Sequence, residues 1–144
     1  MKSFFAALQF LTIIPLPRVL GGDESSLRKS VIFFPIIGAL IGIAAALSDF
    51  MIIKALPQTV VTVLVVIFLM AVSGGLHMDG LADTADGFFS SRPRERILEI
   101  MRDSRIGAMG VMAIVSILML KVSLLDAVQQ PARWPVIILM PVAG

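Results

Sequence analysis

Long apolar blocks separated by short polar stretches make up most of this chain. The block from Val31 to Phe50 is long enough to cross a bilayer core as one helix, which takes about twenty residues. A second span is predicted from Thr59 through Val72, continuing into the polar stretch that follows, and a third over Ile106 to Leu125. A short loop is expected from Asp126 to Arg133, and Trp134 is then the expected interfacial anchor of a fourth span, which starts at Pro135 and is cut short by the end of the sequence. Because backbone groups in lipid must be satisfied internally, these blocks predict helices.

The remaining apolar pattern predicts two shorter helices. The N-terminal block of about thirteen apolar residues, ending at Pro15, is too short to span and indicates an interfacial or re-entrant helix. A polar connection is expected over residues 18–30. From Pro93 to Met101, apolar and charged residues alternate at helical spacing, with apolar residues for one face only. The fold class is therefore an all-α integral membrane protein: about three full spans, a short N-terminal helix, a cytoplasmic interfacial helix and a truncated fourth span.

Composition supports this class and excludes others. Apolar residues make up 58% of the 144 residues and charged residues only 15%, which does not fit a soluble domain. The formal net charge of +2, without a basic run, gives no reason to expect nucleic acid as a partner. The sequence contains no cysteine, so a disulfide framework and a thiolate nucleophile are excluded. Gly38, Gly42 and Ala46 recur every four residues and predict close helix packing on one face.

The distribution of positive charge predicts the orientation. Lysine and arginine concentrate near the N-terminus, around residues 18–29 and in the 79–105 segment, whereas Lys54, Lys121 and Arg133 fall on the other side. By the positive-inside rule, the N-terminus and the 79–105 segment are cytoplasmic. The expected location is the cytoplasmic (inner) membrane of a bacterium or archaeon, with the bilayer itself as a partner.

An acidic stretch follows the second apolar block and is the strongest sign of chemistry. If the stretch at residues 74–87 is helical, Asp79, Asp83 and Asp86 lie within a wedge of about 60°, and the single histidine, His77, points about 160° away from Asp79. A solvated acidic face is the alternative interpretation. Ionisable residues beside a lipid span are usually functional, and carboxylates without cysteine favour a hard ion such as Mg²⁺. The three aspartates are therefore candidate metal ligands.

Five arginines follow the acidic stretch and suggest a phosphate-bearing substrate, because arginine binds phosphate oxygens bidentately. Arg92, Arg94 and Arg96 fit an interfacial helix better, where they pair with nearby acids or lipid headgroups. Arg102 and Arg105 border Asp103 and the start of a span, so they are the candidate substrate ligands. His77 either contacts substrate or has a capping or packing role. Residue types alone thus predict Mg²⁺-assisted transfer at a phosphoryl or pyrophosphoryl group in the membrane.

Two long blocks, at residues 74–87 and 98–107, carry a resemblance to a known family. They read GGLHMDGLADTADG and LEIMRDSRIG, and with QFLT at residues 9–12 and FPIIG at 34–38 they resemble the cobalamin synthases, the adenosylcobinamide-GDP ribazoletransferases. The resemblance extends over nearly the whole chain. It implies that the hydroxyl of α-ribazole, or of its 5′-phosphate, attacks the phosphorus on the cobinamide side of adenosylcobinamide-GDP and releases GMP. The corrinoid nucleotide and the ribazole are then the small-molecule substrates.

The resemblance also bears on the extent of the chain and the roles of residues. Family members continue through further membrane helices, so the single membrane domain of residues 1–144 is expected to be incomplete at its C-terminus. In the implied mechanism the aspartates hold Mg²⁺, Arg102 and Arg105 hold phosphates, and Asp103 or a motif aspartate accepts a proton. The predicted catalytic residues are Asp86, Asp103 and His77; the predicted substrate ligands are Arg102, Arg105, Gly75 and Gly80; the predicted metal ligands are Asp79, Asp83 and Asp86.

Two other hypotheses belong to different functional classes. The CDP-alcohol phosphotransferases of phospholipid synthesis also use a membrane aspartate cluster with Mg²⁺. This chain has Asp79-Gly80 but lacks the Ala-Arg that those enzymes carry shortly after it. A non-enzymatic transport protein with an aspartate cation site is the third hypothesis. The carboxylates cluster at one membrane end, however, and not at a midplane break between repeats.

Overall fold

The computed structural model describes residues 2–17, 24–91, 93–101 and 105–143, and these are helical with short connections. The helices are α1 (Lys2–Leu11), α2 (Glu24–Ser30), α3 (Phe34–Ile52), α4 (Gln58–Val72), α5 (Leu76–Phe88), α6 (Arg94–Ile100), α7 (Ala108–Ala127) and α8 (Arg133–Ala143). A single 3₁₀ turn, Val31–Phe33, joins α2 to α3. No strand occurs in these ranges, so the all-helical prediction is confirmed.

Length and composition identify the helices that can cross a membrane. Two qualify among the described residues, Ser26–Ile52 and Ala108–Ala127, and the pair α4 and α5 would make a third if it forms one broken span. Many large apolar side chains on these helices are exposed, including Leu47, Met119 and Leu124. A lipid-facing surface explains this exposure, since lipid removes the cost of leaving apolar side chains outside a core.

The closest helix pair is α3 with α8, and glycines make the close approach possible. A Cβ added to Gly42 would lie 2.7 Å from the Cα of Ile138, and one added to Gly38 would lie 2.8 Å from the carbonyl carbon of Pro141. The backbones therefore touch where side chains would otherwise separate them. The predicted small-residue face of α3 is confirmed, since Gly38, Gly42 and Ala46 are all buried.

Beside this pair, α4 and α7 complete a small apolar core. Its buried members come from four helices: Ala45, Ala46, Val61, Val65, Val66, Leu125 and Ile137. The core lies toward the end of the bundle where α3 ends and α4 begins. At the opposite end lies the acidic helix α5, which packs against α7 and α6.

The chain turns sharply between α4 and α5, and the sequence explains the turn. Gly74 and Gly75 adopt positive φ angles of 62° and 74°, which side chains other than glycine rarely tolerate. The Gly75 amide donates to the Met70 carbonyl (3.1 Å) and the Gly74 amide donates to the Ala71 carbonyl (3.0 Å), as in a Schellman motif. The two helix axes differ by 86°. The second predicted span therefore continues into the acidic stretch through a sharp bend, which the sequence pattern did not predict.

Three other boundary predictions need correction. The N-terminal helix ends at Leu11 and not at Pro15, because its last turn gives way to an extended segment whose Ile13 amide donates to the Val72 carbonyl (2.9 Å). Within the predicted polar connection, residues 24–30 form α2. Arg133, predicted to lie in a loop, is the first residue of α8.

Candidate functional site

The three motif aspartates lie on one helix, but their surroundings differ. Because α5 is continuous from Leu76 to Phe88, Asp79, Asp83 and Asp86 share one face at helical spacing, as predicted. Asp79 is exposed, whereas Asp83 and Asp86 are half-buried. The buried residues of α5 are Ala82, Ala85 and Gly87, whose small size lets α7 and α6 pack closely. The acidic face thus borders the contact with α7.

The Asp86 carboxylate has a structural role that the sequence pattern did not reveal. One of its oxygens accepts the backbone N–H of Gly107 (2.7 Å) and the other accepts that of Gly110 (2.9 Å). Gly107 is the N-cap residue of α7 and Gly110 lies in its first turn. These are amides that a helix cannot satisfy internally. Asp86 therefore caps α7 from a different helix.

The remaining two aspartates make no such contacts. Within the ranges that the structure describes, neither Asp79 nor Asp83 has a hydrogen bond or ion pair from its side chain. They are neighbours at i and i+4, about 6 Å apart along the helix axis, while Asp79 and Asp86 are about 10 Å apart. The carboxylates of Asp79 and Asp83 are thus available for an outside partner.

The described residues do not gather three carboxylate or histidine ligands around one point. Among them, no group of three or more His, Asp or Glu side chains is placed to hold a metal ion. Mg²⁺ commonly binds through one or two protein carboxylates and completes its shell with water and substrate phosphates. The Asp79/Asp83 pair fits this mode by its chemistry and exposure.

Two cavities meet at the turn between α4 and α5. The larger, of about 650 Å³, is apolar apart from a few groups, among them Ser73, His77 and Lys121. The second is shallower and is lined by Asp79, Gly74, Gly75 and three isoleucines, Ile13, Ile106 and Ile114. Phe10, Ser73 and Met78 line both. His77 and Asp79 therefore serve different cavities, as the predicted angle of about 160° between them requires.

Lys121, predicted to lie near the end of the third span, also lines a cavity. It lies six residues before the end of α7, is half-buried and lines the larger cavity. Together with His77 it gives this cavity two nitrogen-bearing side chains on an otherwise apolar wall. The sequence signal for this placement was an ionisable residue inside an apolar span.

The predicted substrate ligands, together with the predicted catalytic residue Asp103, fall into three groups. Arg102 and Asp103 lie outside the described residues, so their predicted roles stay predictions. Arg105 is exposed and precedes the Asp86-bound amide of Gly107 by two residues. Gly75 provides the positive-φ turn before α5. Among the described residues, and apart from the adjacent backbone, no atom lies within 4 Å of a Cβ built on Gly75 or Gly80. Both glycines therefore border open space, and their predicted contact with substrate remains a prediction.

At the opposite end of the bundle lies a buried polar cluster that sequence reasoning missed. Arg133 and Asp49 are completely buried and paired, with Arg133 Nη2 and Nε donating to Asp49 Oδ1 at 2.8 and 3.0 Å. Arg133 also donates to the Thr62 hydroxyl (2.9 Å) and the Leu125 carbonyl (2.9 Å). Trp134, predicted to be an interfacial anchor, donates its indole N–H to Asp49 Oδ2 (3.2 Å). An aspartate inside the first apolar block was the signal that a buried partner was needed.

Comparison with known proteins finds a family match over nearly the whole chain. Residues 3–144 match the family described as cobalamin-5-phosphate synthase. Curated relatives named adenosylcobinamide-GDP ribazoletransferase include those of Geotalea daltonii (42% identical over 144 residues), Clostridium botulinum strain Okra (41% over 149) and Acetivibrio thermocellus (38% over 144). All of this chain is covered, but it spans only 58% of the length of each of these relatives. No solved structure matches. The chain belongs to the cobalamin-5-phosphate synthase family.

Proposed function

We propose that this chain forms part of an adenosylcobinamide-GDP ribazoletransferase that joins α-ribazole, or its 5′-phosphate, to the cobinamide phosphate and releases GMP. The observation that carries the proposal is the family match over residues 3–144 together with two aspartates without a protein partner, Asp79 and Asp83, on one face of α5. A CDP-alcohol phosphotransferase and a transport protein are not favoured by this match.

In this proposal Asp79 and Asp83 hold Mg²⁺. Asp79 is exposed and lines the shallower cavity, Asp83 is half-buried, and neither has a protein partner among the described residues. When bound, the ion would neutralise negative charge on the pyrophosphate group. Residues of α5 would hold the ion, because α5 packs against α7 and leaves Asp79 and Asp83 without a protein partner.

Arg105, with Arg102, is proposed to bind the phosphates of adenosylcobinamide-GDP. Arginine pairs with phosphate oxygens in a two-pronged geometry that fixes orientation as well as charge. Position 105 lies close to α5 because the chain from Arg105 to Gly107 spans at most about 7 Å. The ribazole is proposed to occupy the larger cavity, whose apolar walls suit an aromatic base and whose His77 lies in the first turn of α5.

The acidic helix is proposed to lie on the cytoplasmic side. Because Arg133 is buried and paired with Asp49, it adds no free positive charge to the opposite end. When Arg133 is left out of the count of lysines and arginines, the excess of positive charge on the side of the acidic helix becomes larger. The predicted orientation depends on this excess. Accessibility labelling of single cysteines at positions 84 and 55 in inverted and right-side-out vesicles tests this, because the chain has no native cysteine. Labelling of both positions from the same side would contradict it.

The activity is tested in a chimera, because this chain spans 58% of its relatives' length. Residues 3–144 replace the matching segment of the Geotalea daltonii relative, and GMP release is measured with adenosylcobinamide-GDP, α-ribazole or its 5′-phosphate, and Mg²⁺. We expect GMP release that depends on the ribazole and on the metal, with Mn²⁺ replacing Mg²⁺ better than Ca²⁺ does, because Ca²⁺ is larger and less demanding in geometry.

The parent enzyme provides the positive control for this assay. A chimera that inserts in the membrane and elutes as a single folded species, yet releases no GMP while the parent does, would contradict the proposal. Release of GMP without ribazole would also contradict it, because hydrolysis and not transfer would then be the activity.

A further inference from the structure

We propose that Asp86 is a positioning residue, which sets the start of α7 and thereby the location of Arg105, and is neither a metal ligand nor a proton acceptor. The sequence predicted Asp86 for both of these roles because it shares a helix face with Asp79 and Asp83. The part of this inference that concerns Arg105 rests on the proposed function. The part that concerns α7 does not.

The Asp86 carboxylate uses both of its oxygen atoms in hydrogen bonds with α7. Both oxygens of Asp86 are occupied by backbone amides, at 2.7 Å from Gly107 and 2.9 Å from Gly110. In a capping box, two side chains satisfy the N-cap and N3 amides of one helix. Here one carboxylate from another helix satisfies the amides at the same two positions.

Among the described residues, α7 has no side-chain cap of its own. Gly107 carries no side chain, and no acidic residue lies in the first turn of α7. The unpaired amides at a helix N-terminus also create a partial positive charge that a nearby carboxylate stabilises. Asp86 meets both needs, and loss of its charge would leave the first turn of a twenty-residue helix without a partner.

The Asp86 carboxylate fits closely against Gly107 and Gly110. A Cβ added to Gly107 would lie 2.5 Å from Asp86 Oδ1, and only atoms of Asp86 would come that close to it. A Cβ on Gly110 would lie 2.5 Å from Asp86 Oδ2 and 3.1 Å from the Cβ of Ala82. Glycine at 107 and 110 leaves the space that the carboxylate fills, so the two glycines and Asp86 form one unit.

The two other aspartates of the motif differ from Asp86 in their hydrogen-bond partners. Asp79 and Asp83 have no hydrogen-bond or ion-pair partner within the described residues, whereas both oxygens of Asp86 accept amides of α7. Arg105 precedes the bound amide by only two residues. A shift in the first turn of α7 would therefore move Arg105 relative to the Asp79/Asp83 pair.

Hydrogen exchange measured by mass spectrometry on this chain in detergent tests the structural part. We expect Asp86→Ala to raise the exchange rate of peptides covering residues 107–112 about tenfold, the factor that corresponds to 1.4 kcal/mol, since the lost cap and charge contribute about that much. Asp79→Ala and Asp83→Ala are matched controls on the same face and should leave these peptides unchanged. Equal exchange in Asp86→Ala and the unmodified chain would overturn the proposal.

A double-mutant cycle keeps the test decisive even where Asp86→Ala folds poorly. Gly107→Ala should displace the carboxylate and lower the melting temperature of the chain. In the Asp86→Ala background the same change should cost much less, because the atoms it would strike are gone. Gly80→Ala, with no described atom apart from the adjacent backbone within 4 Å of its Cβ, is the control for adding a methyl group. Strictly additive effects of Asp86→Ala and Gly107→Ala would contradict the unit described above.

Metal dependence in the chimera separates positioning from metal binding. Asp86→Asn should lower kcat and raise KM for adenosylcobinamide-GDP, while the Mg²⁺ concentration for half-maximal turnover stays unchanged. Asp79→Asn and Asp83→Asn should raise that concentration. An equal rise in Asp86→Asn would overturn the proposal. Absence of turnover from the unmodified chimera would count against the proposed function alone, because the exchange experiment decides the role of Asp86 without it.

Discussion

The two ends of this bundle use the same residue types in opposite ways. At one end Asp49 and Arg133 are fully buried and every buried polar side-chain atom among the described residues has a partner. At the other, Asp79 is exposed and Asp83 half-buried, and neither has a partner in the described ranges. Buried charge is tolerated only when it is paired and hydrogen-bonded, so the first end is committed to structure. The second end keeps its charges available for a ligand.

Asp86 stands between these two cases. It belongs to the exposed acidic motif by sequence, yet its carboxylate is committed to the α7 amides in the way that Asp49 is committed to Arg133. Membership of a motif therefore does not decide what a carboxylate does. The partners of its oxygen atoms do, and four predictions sharpen this distinction.

The largest effect is expected at the buried pair. Arg133→Ala should destabilise the folded chain by about 3–5 kcal/mol, because it leaves the Asp49 carboxylate buried without its cation. Unfolding monitored by circular dichroism in detergent measures this, with exposed Lys54→Ala as the control. The double variant Asp49→Leu/Arg133→Met should be less destabilised than Arg133→Ala. A loss below about 1 kcal/mol, the value of a surface pair, would contradict a structural role for this cluster.

At the exposed end the expected effect is on turnover and not on stability. Asp79→Ala and Asp83→Ala in the chimera should each lower kcat by about 10²–10³-fold, in line with the loss of one charge-stabilising group. Their melting temperatures should stay close to that of the parent, because exposed substitutions usually change stability by no more than about 0.5 kcal/mol. A large loss of stability in either variant would show that this end is structural as well.

A smaller effect is expected from Thr62, which links two parts of the buried cluster. Its hydroxyl accepts from Arg133 Nη2 (2.9 Å) and lies 3.1 Å from Asp126 Oδ1. Thr62→Val keeps the shape but removes the hydroxyl, and should cost about 1–3 kcal/mol because a buried donor loses its partner. Thr84→Val, whose hydroxyl is exposed and bonds only to the Gly80 carbonyl of its own helix, is the control. Equal melting temperatures for the two variants would contradict the link.

The smallest effect is expected on α6. Arg96 and Glu99 form an exposed ion pair on that helix. Glu99→Gln should change stability by no more than about 0.5 kcal/mol, and added salt should remove even that difference, since exposed pairs are screened. Melting temperatures at low and high salt measure it. A change as large as that of Thr62→Val would show that α6 contributes to the fold more than its exposure indicates.

Local sequence features predicted much of the fold. Apolar block lengths predicted the helices now seen as α3 and α7, the four-residue repeat of small residues predicted the packing face of α3, and helical spacing placed the three aspartates together. These features depend on residues a few positions apart, for which helix geometry alone is sufficient. The Gly74-Gly75 pair was visible too, but a pair of small residues does not specify a turn of 86°.

Only the tertiary structure decided which charges are committed to the fold. Asp49 and Arg133 are 84 positions apart in the chain, and Asp86 is 21 positions from the nearer amide that it caps. Periodicity carries no information about contacts at such separations, because they depend on how whole helices pack. For the same reason the sequence grouped Asp86 with Asp79 and Asp83. Its local pattern is identical to theirs, and the difference lies in the first turn of a helix that comes later in the chain.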